Sequence, residues 1–139
     1  MNKYVLVDIN NTLLDSENRK AADIYFLGLI HKDKPRYGII RLLKLYWKNG
    51  YKLIFFNYCN AKFEAVIQQA MEKCGFDPNS YTLFMDVANE KINDAYSLKR
   101  YVCENILQIA NEDVLCAIDN DEKSIDFYKA NDIVVLEVK

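Results

Sequence analysis

The chain has 139 residues, 51% hydrophobic and 27% charged, with 18 Lys and Arg against 20 Asp and Glu and a formal net charge of −2. Length and balance fit one soluble domain over residues 1–139, and they exclude disordered, collagen-like and low-complexity classes, which lack the apolar residues for a core. The longest apolar stretches, such as Leu53-Ile54-Phe55-Phe56, fall far short of the ~20 residues that cross a bilayer. The N-terminus reaches Asp8 without the ~7–15-residue apolar core of a secretory signal, so the expectation is a cytoplasmic protein with no membrane contact.

Residues 3–9 (KYVLVDI) read as a buried strand that ends in the turn-forming cluster Asn10-Asn11-Thr12. A helix is expected from about residue 16 to 29. A better one spans 36–49, with Pro35 near its first turn, Gly50 past its end, and Ile39, Ile40, Leu43 and Tyr46 or Trp47 inward. Residues 51–57 (YKLIFFN) form a second strand, and 61–73 a helix opened by Asn60 and closed by Gly75. A short strand over 81–85, a helix over 91–109, a strand over 114–119, a helix over 122–129 and a strand over 133–138 complete the series.

Strands written as continuous apolar runs between helices argue for α/β architecture: a doubly wound, mainly parallel sheet, covered on both faces. Such sheets take ligands outside the carboxyl ends of their strands. Those ends carry Asp8 with Asn10 and Thr12, then Asn57, then Asp86, then Asp119 with Asn120 and Asp121. Carboxylates brought together from different strands, with amides and a lysine nearby, form the oxygen-rich environment that Mg²⁺ prefers. The plainer alternative is that each Asp caps the following helix, and for Asp121 that alternative is at least as strong.

Four cysteines, Cys59, Cys74, Cys103 and Cys116, contain no CxxC pair, and one histidine, His31, gives little basis for a zinc site or a nucleophilic triad. Free buried thiols are expected.

The run Val5-Leu6-Val7-Asp8-Ile9-Asn10-Asn11-Thr12 resembles the first motif of the haloacid dehalogenase (HAD) superfamily of phosphatases, hhhhDxDxT, lacking only its second Asp. Leu53-Ile54-Phe55-Phe56-Asn57 falls where the second motif belongs, Lys99 fits the third, with Lys91 as runner-up, and Ala117-Ile118-Asp119-Asn120 resembles the fourth. Nearly the whole chain is similar to the phosphatase domain of phage polynucleotide kinase-phosphatases. The resemblance implies a HAD-like Rossmannoid fold without a separate cap domain. It makes Asp8 the nucleophile that forms an aspartyl-phosphate. Mg²⁺ would be held by Asp8, the Asn10 carbonyl, Asp119 and Asn120, and phosphate would be bound by Thr12, Asn57 and Lys99.

Three departures follow from the same alignment of motifs: Asn10 stands where the general acid/base is usual, Asn57 where Ser or Thr is, and Asn120 where a second acid is. Asn carries no proton to a leaving oxygen, and loss of general acid–base catalysis typically costs ~10²–10⁴ in rate. The functional expectation is therefore an attenuated phosphomonoester hydrolase. The alternatives are an impaired relative that binds a phosphorylated partner without turnover, and a phospho-receiver domain. The last fits worst, because Asp8-Ile9-Asn10 lacks the acidic pair that such a domain places after its first strand.

Between His31 and Lys52 lie seven Lys or Arg and one Asp, an excess of six positive charges in a chain whose net charge is −2. With Tyr37, Tyr46, Trp47 and Tyr51 interleaved, this segment could bind nucleic-acid ends. A solvated helix face with its aromatics turned inward is the competing reading.

Overall fold

The computed structural model describes residues 3–15, 33–85 and 91–138; the helix expected over residues 16–29, His31 and Asp86 lie outside them. The elements in chain order are β1 (Tyr4–Asp8), β2 (Leu14–Asp15), β3 (Lys34–Pro35), α1 (Tyr37–Lys48), β4 (Lys52–Phe56) and α2 (Glu64–Lys73). They continue with β5 (Tyr81–Phe84), α3 (Ala95–Tyr101), β6 (Val114–Asp119), α4 (Glu122–Ala130) and β7 (Val135–Glu137). Five strands form one parallel sheet in the order β5-β4-β1-β6-β7, and β2 pairs antiparallel with β3.

Because successive side chains of a strand point to opposite faces, the central strands feed two cores. Val5 and Val7, with Leu53 and Phe55, pack with Ile40 and Leu43 of α1 and Ile67 and Met71 of α2. Leu6, Ile54, Phe56 and Ala117 pack on the other face with Leu98 of α3 and Tyr128 of α4. Burial on both faces is why β1, β4 and β6 read as unbroken apolar runs. The result is a Rossmann-like α/β arrangement. The chain steps outward from β1 to β4 and β5, then returns to the far side of β1 for β6 and β7, so the winding reverses between β1 and β6. The last residues of those two strands are Asp8 and Asp119.

Cap chemistry sets several element ends. Asn60 accepts from the Lys62 N–H at 2.9 Å and opens a short 3-10 turn, Ala61–Phe63, ahead of α2. Gly75, at φ +85°, reverses the chain after α2, and the Phe76 N–H returns to the Met71 carbonyl. Phe76 is thereby tucked against Phe55 at 5.4 Å between ring centroids. The helix expected over 91–109 starts later, at Ala95, because Asp94 and Ser97 form a reciprocal capping box there. It passes into a π-helical turn, Val102–Ile106, after Tyr101. The last strand is shorter than expected: the Ile133 N–H is still bonded to the Tyr128 carbonyl of α4, and Asp132 adopts φ 57°.

Ile40 and Leu43 are buried as α1's periodicity requires, and of the alternatives Tyr46 and Trp47 it is Tyr46 that packs against the core, while Trp47 is 47% exposed. None of the four cysteines is in a disulfide; Cys74, Cys103 and Cys116 are buried, as expected, whereas Cys59 is half-buried.

Two outcomes follow from this packing. Phe55→Ala should cost about 3–5 kcal/mol by urea denaturation, since Phe55 is fully buried between Phe76 and Tyr81, whereas Val134→Ala, at an exposed site, should change stability little. Burial pushes the Cys103 thiol up to about 12 and raises those of Cys74 and Cys116, so a disulfide-exchange reagent at mildly alkaline pH should label Cys59 first and the other three only on unfolding.

Candidate active site

β1 lies at the centre of the sheet and delivers Asp8, 7% exposed, to its carboxyl edge. The chain turns at once. The Ile9 carbonyl accepts from the N–H groups of Thr12, Leu13 and Leu14, and Asn11 takes φ 59°, a left-handed conformation that Asn tolerates better than most residues. The turn folds Thr12 back, so that its hydroxyl donates to Asp8 Oδ2 at 3.0 Å and lies 3.4 Å from Asn120 Oδ1. Asn10 bridges to Leu14 within this turn, and the Arg36 N–H donates to the Leu13 carbonyl, which fixes the start of α1 beside it.

β6, next to β1, delivers Asp119, which has no solvent exposure. Its Oδ1 accepts from the backbone N–H groups of Asn120 (2.8 Å) and Asp121 (2.9 Å). Its Oδ2 accepts from Lys99 Nζ at 2.7 Å. The same ammonium reaches Asp8 Oδ1 at 3.3 Å and donates to Ser124 Oγ at 3.1 Å. Ser124 in turn donates from both its hydroxyl (2.6 Å) and its backbone N–H (3.0 Å) to Asp121 Oδ2. Asp121 is thus the N-cap of α4, as its plainer reading had it, and that cap orients the serine that receives Lys99.

The electrostatics follow from burial. Lys99 is 1% exposed. Desolvation by itself would lower its pKa, but Asp8 and Asp119 together outweigh that and hold it above the ordinary lysine value. Burial pushes Asp8 up to about 7, with Lys99 opposing the rise and Asp119 adding to it, and burial raises Asp119 as well. One cation shared by two carboxylates leaves this cluster one negative charge in excess when all three groups are ionised.

Among the described residues no group of three or more His, Cys, Asp or Glu stands in a metal-binding arrangement. The groups at hand are two carboxylates and the oxygens of Asn10 and Asn120. An all-oxygen set with excess negative charge fits a hard divalent cation such as Mg²⁺.

Of the residues singled out in the sequence, the fold brings Asp8, Thr12, Lys99, Asp119 and Asn120 together. Asn57 is buried at the end of β4, where its N–H donates to the Phe84 carbonyl, but its side-chain amide donates to Cys59 Sγ at 3.5 Å. Lys91, the runner-up lysine, precedes α3 and is exposed. Ser124 was not foreseen; the spacing Asp121-x-x-Ser124, an N-cap acceptor with its donor three residues on, is the signal that marks it.

No protein-family model matches the chain, and no curated protein does. Several chains of solved structures are similar to it, among them two from RNA repair assemblies. A chain of the Pnkp1/Rnl/Hen1 complex superimposes with a TM-score of 0.77 at 20% identity, over 99% of this chain and 46% of that one. A chain of the Pnkp1/Rnl/Hen1 RNA repair complex gives 0.75 at 19% identity, over 99% and 42%. Likeness at this identity shows a shared fold. The present chain spans less than half the length of either neighbour.

The charge balance predicts opposite effects for two substitutions, measured by thermal melting in EDTA. Folded Asp8 keeps its proton up to about 7 whereas the unfolded group loses it near 3.8, so its burial lowers stability as pH rises through that window. Asp8→Asn should therefore melt above the parent chain at pH 8, with the gap narrowing at pH 5. Lys99, with its pKa raised, contributes fully at neutral pH and loses that contribution only above the ordinary value of 10.5. Lys99→Met should accordingly cost about 3–5 kcal/mol at pH 8, since it strands two buried carboxylates.

Proposed function

We propose that this chain is a Mg²⁺-dependent phosphomonoester hydrolase of the HAD type, acting through an aspartyl-phosphate at Asp8 on nucleic-acid or nucleotide phosphate ends, with attenuated activity. The observation that carries the reading is the buried Asp8–Lys99–Asp119 cluster at the carboxyl ends of adjacent parallel strands, with Thr12 bonded back to Asp8. The motif order Asp8…Thr12, Lys99, Asp119 supports it. So does the fold shared with chains of an RNA repair complex, which favours end processing as the setting.

In this reading one Asp8 oxygen attacks phosphorus, and the bond from phosphorus to the ester oxygen breaks as the alcohol leaves. Thr12 on Oδ2 and Lys99 near Oδ1 hold the carboxylate in one orientation, so little conformational freedom is lost on attack. Lys99 also keeps the nucleophile's charge tolerable in a site that otherwise favours its neutral form. The leaving oxygen takes its proton from solvent, because the Asn10 amide has none to give. Water then attacks the phosphorus of the acyl phosphate, which frees Asp8 and releases orthophosphate. Mg²⁺, held by Asp8, Asp119 and the Asn10 carbonyl with Asn120 beside them, would neutralise charge on the transferring phosphoryl group. Asn57 would need to turn from Cys59 to reach phosphate.

The amide at position 10 favours a second reading, a protein that binds phosphorylated ends without turnover. Phosphate release from p-nitrophenyl phosphate and from a 3′-phosphorylated oligonucleotide separates the two. Release that requires Mg²⁺ and is abolished by Asp8→Asn is the expected result, with Asn10→Asp raising the rate by ~10²–10⁴. No release from any variant, with the oligonucleotide still bound, would favour the second reading.

A further inference from the structure

Helix α1 has a face that neither core uses. Its sequence, YGIIRLLKLYWK, holds three cations and no acid. Tyr37, Arg41, Lys44 and Lys48 fall at i, i+4, i+7 and i+11, which places them in one narrow stripe along the axis. Tyr37 is 63% exposed, Arg41 and Lys48 are exposed, and Lys44 is half-buried with its ammonium 5.8 Å from the Phe76 ring centre. The stripe starts beside the candidate active site, where the Arg36 N–H meets the Leu13 carbonyl of the turn after Asp8. It runs about 18 Å, the length of twelve helical residues. It ends at the opposite edge of the sheet, where Lys52 opens β4 opposite Tyr4 at the start of β1.

At that far end Trp47 stands between two concavities. One of about 200 Å³ is lined by Lys44, Lys48 and Phe76 with it, and one of about 380 Å³ by Tyr51, Lys52 and Tyr81. A half-exposed indole that lines two hollows, with Lys44, Lys48 and Lys52 against the single acid Asp77 in their walls, has the makings of a stacking platform for a nucleobase. In a chain of net charge −2, a helix carrying only positive charge is complementary to a polyanion.

We propose that the outer stripe of α1 is a track for single-stranded nucleic acid, with its phosphates on Arg41, Lys44 and Lys48 and a base stacked on Trp47. The track rests on the nucleic-acid half of the function proposed above and supplies its substrate class with residues. It places the body of the strand along α1 and its phosphorylated end at the turn after Asp8.

Trp47 is the chain's only tryptophan, so its fluorescence reports the contact directly. The full chain is titrated with a short single-stranded oligonucleotide, with and without a 3′-phosphate, and with inorganic phosphate. Both oligonucleotides should quench saturably and inorganic phosphate should not. Three cations on phosphates predict a slope of about −2 in log affinity against log salt, at ~0.7 per contact for a single strand. The double substitution Arg41→Glu, Lys48→Glu, at exposed positions whose folding is checked by circular dichroism, should weaken binding at least ~10-fold and flatten the slope by about 1.4.

Absence of quenching at low salt, or quenching that the double variant leaves unchanged, would overturn the track and leave α1 a solvated face. Self-association that buries Trp47 in place of oligonucleotide binding would overturn it in favour of a protein interface. Asp8→Asn separates the two proposals. Quenching that survives in that variant while phosphate release is lost supports both, quenching without release from any form sinks only the phosphatase reading, and release without quenching sinks only the track.

Discussion

A single buried ammonium, Lys99, holds the carboxyl edge of this fold together. It touches Asp8 from β1, Asp119 from β6 and Ser124 from α4, drawing the first strand to the β6–α4 segment more than a hundred residues on. Two carboxylates this deeply buried repel each other and resist ionisation, so the edge could not close around them without a cation. The distances to Lys99 therefore constrain the β1–β6 pairing, the start of α3 at its Asp94–Ser97 box, and the orientation of α4 through Asp121 and Ser124.

The arrangement is unbalanced by design of its composition: two negative charges face one positive one. Burial raises Asp8 towards neutrality, which opposes the ionised form that the proposed nucleophilic attack would require. A fold selected only for stability would place an amide or a hydrophobic side chain here. Residual negative charge next to oxygen donors is what a divalent cation and a phosphate together would complete. In the proposed reaction the amide at Asn10 would act on a different step, because it would affect the proton on the leaving group and leave the charge cluster intact.

The two ends of the sheet have different characters. At the carboxyl ends, buried charge is packed beside a turn in which the Ile9 carbonyl accepts from the N–H groups of Thr12, Leu13 and Leu14. At the amino ends, aromatic and basic side chains stand in solvent around Trp47. Helix α1 connects the two, with its inner face in the core and its outer face carrying Arg41 and Lys48 among the exposed Tyr37, Leu45 and Trp47.

Much of this was legible in the sequence. The apolar runs marked β1, β4 and β6, the 3.6-residue period marked α1, and the short-range cap signals at Asn60 and Asp121 marked helix starts, because each depends on residues within a few positions of one another. The Asp8…Thr12 spacing likewise encodes a contact made inside one turn. What the tertiary structure decided were contacts across the chain: that Lys99 and not Lys91 enters the site, that Ser124 receives it, that Asn57 turns to Cys59, and that Trp47 faces solvent. Those outcomes follow from strand order, the position of the Asp94 cap and the packing of α1 on the sheet, and no local pattern of polarity specifies them.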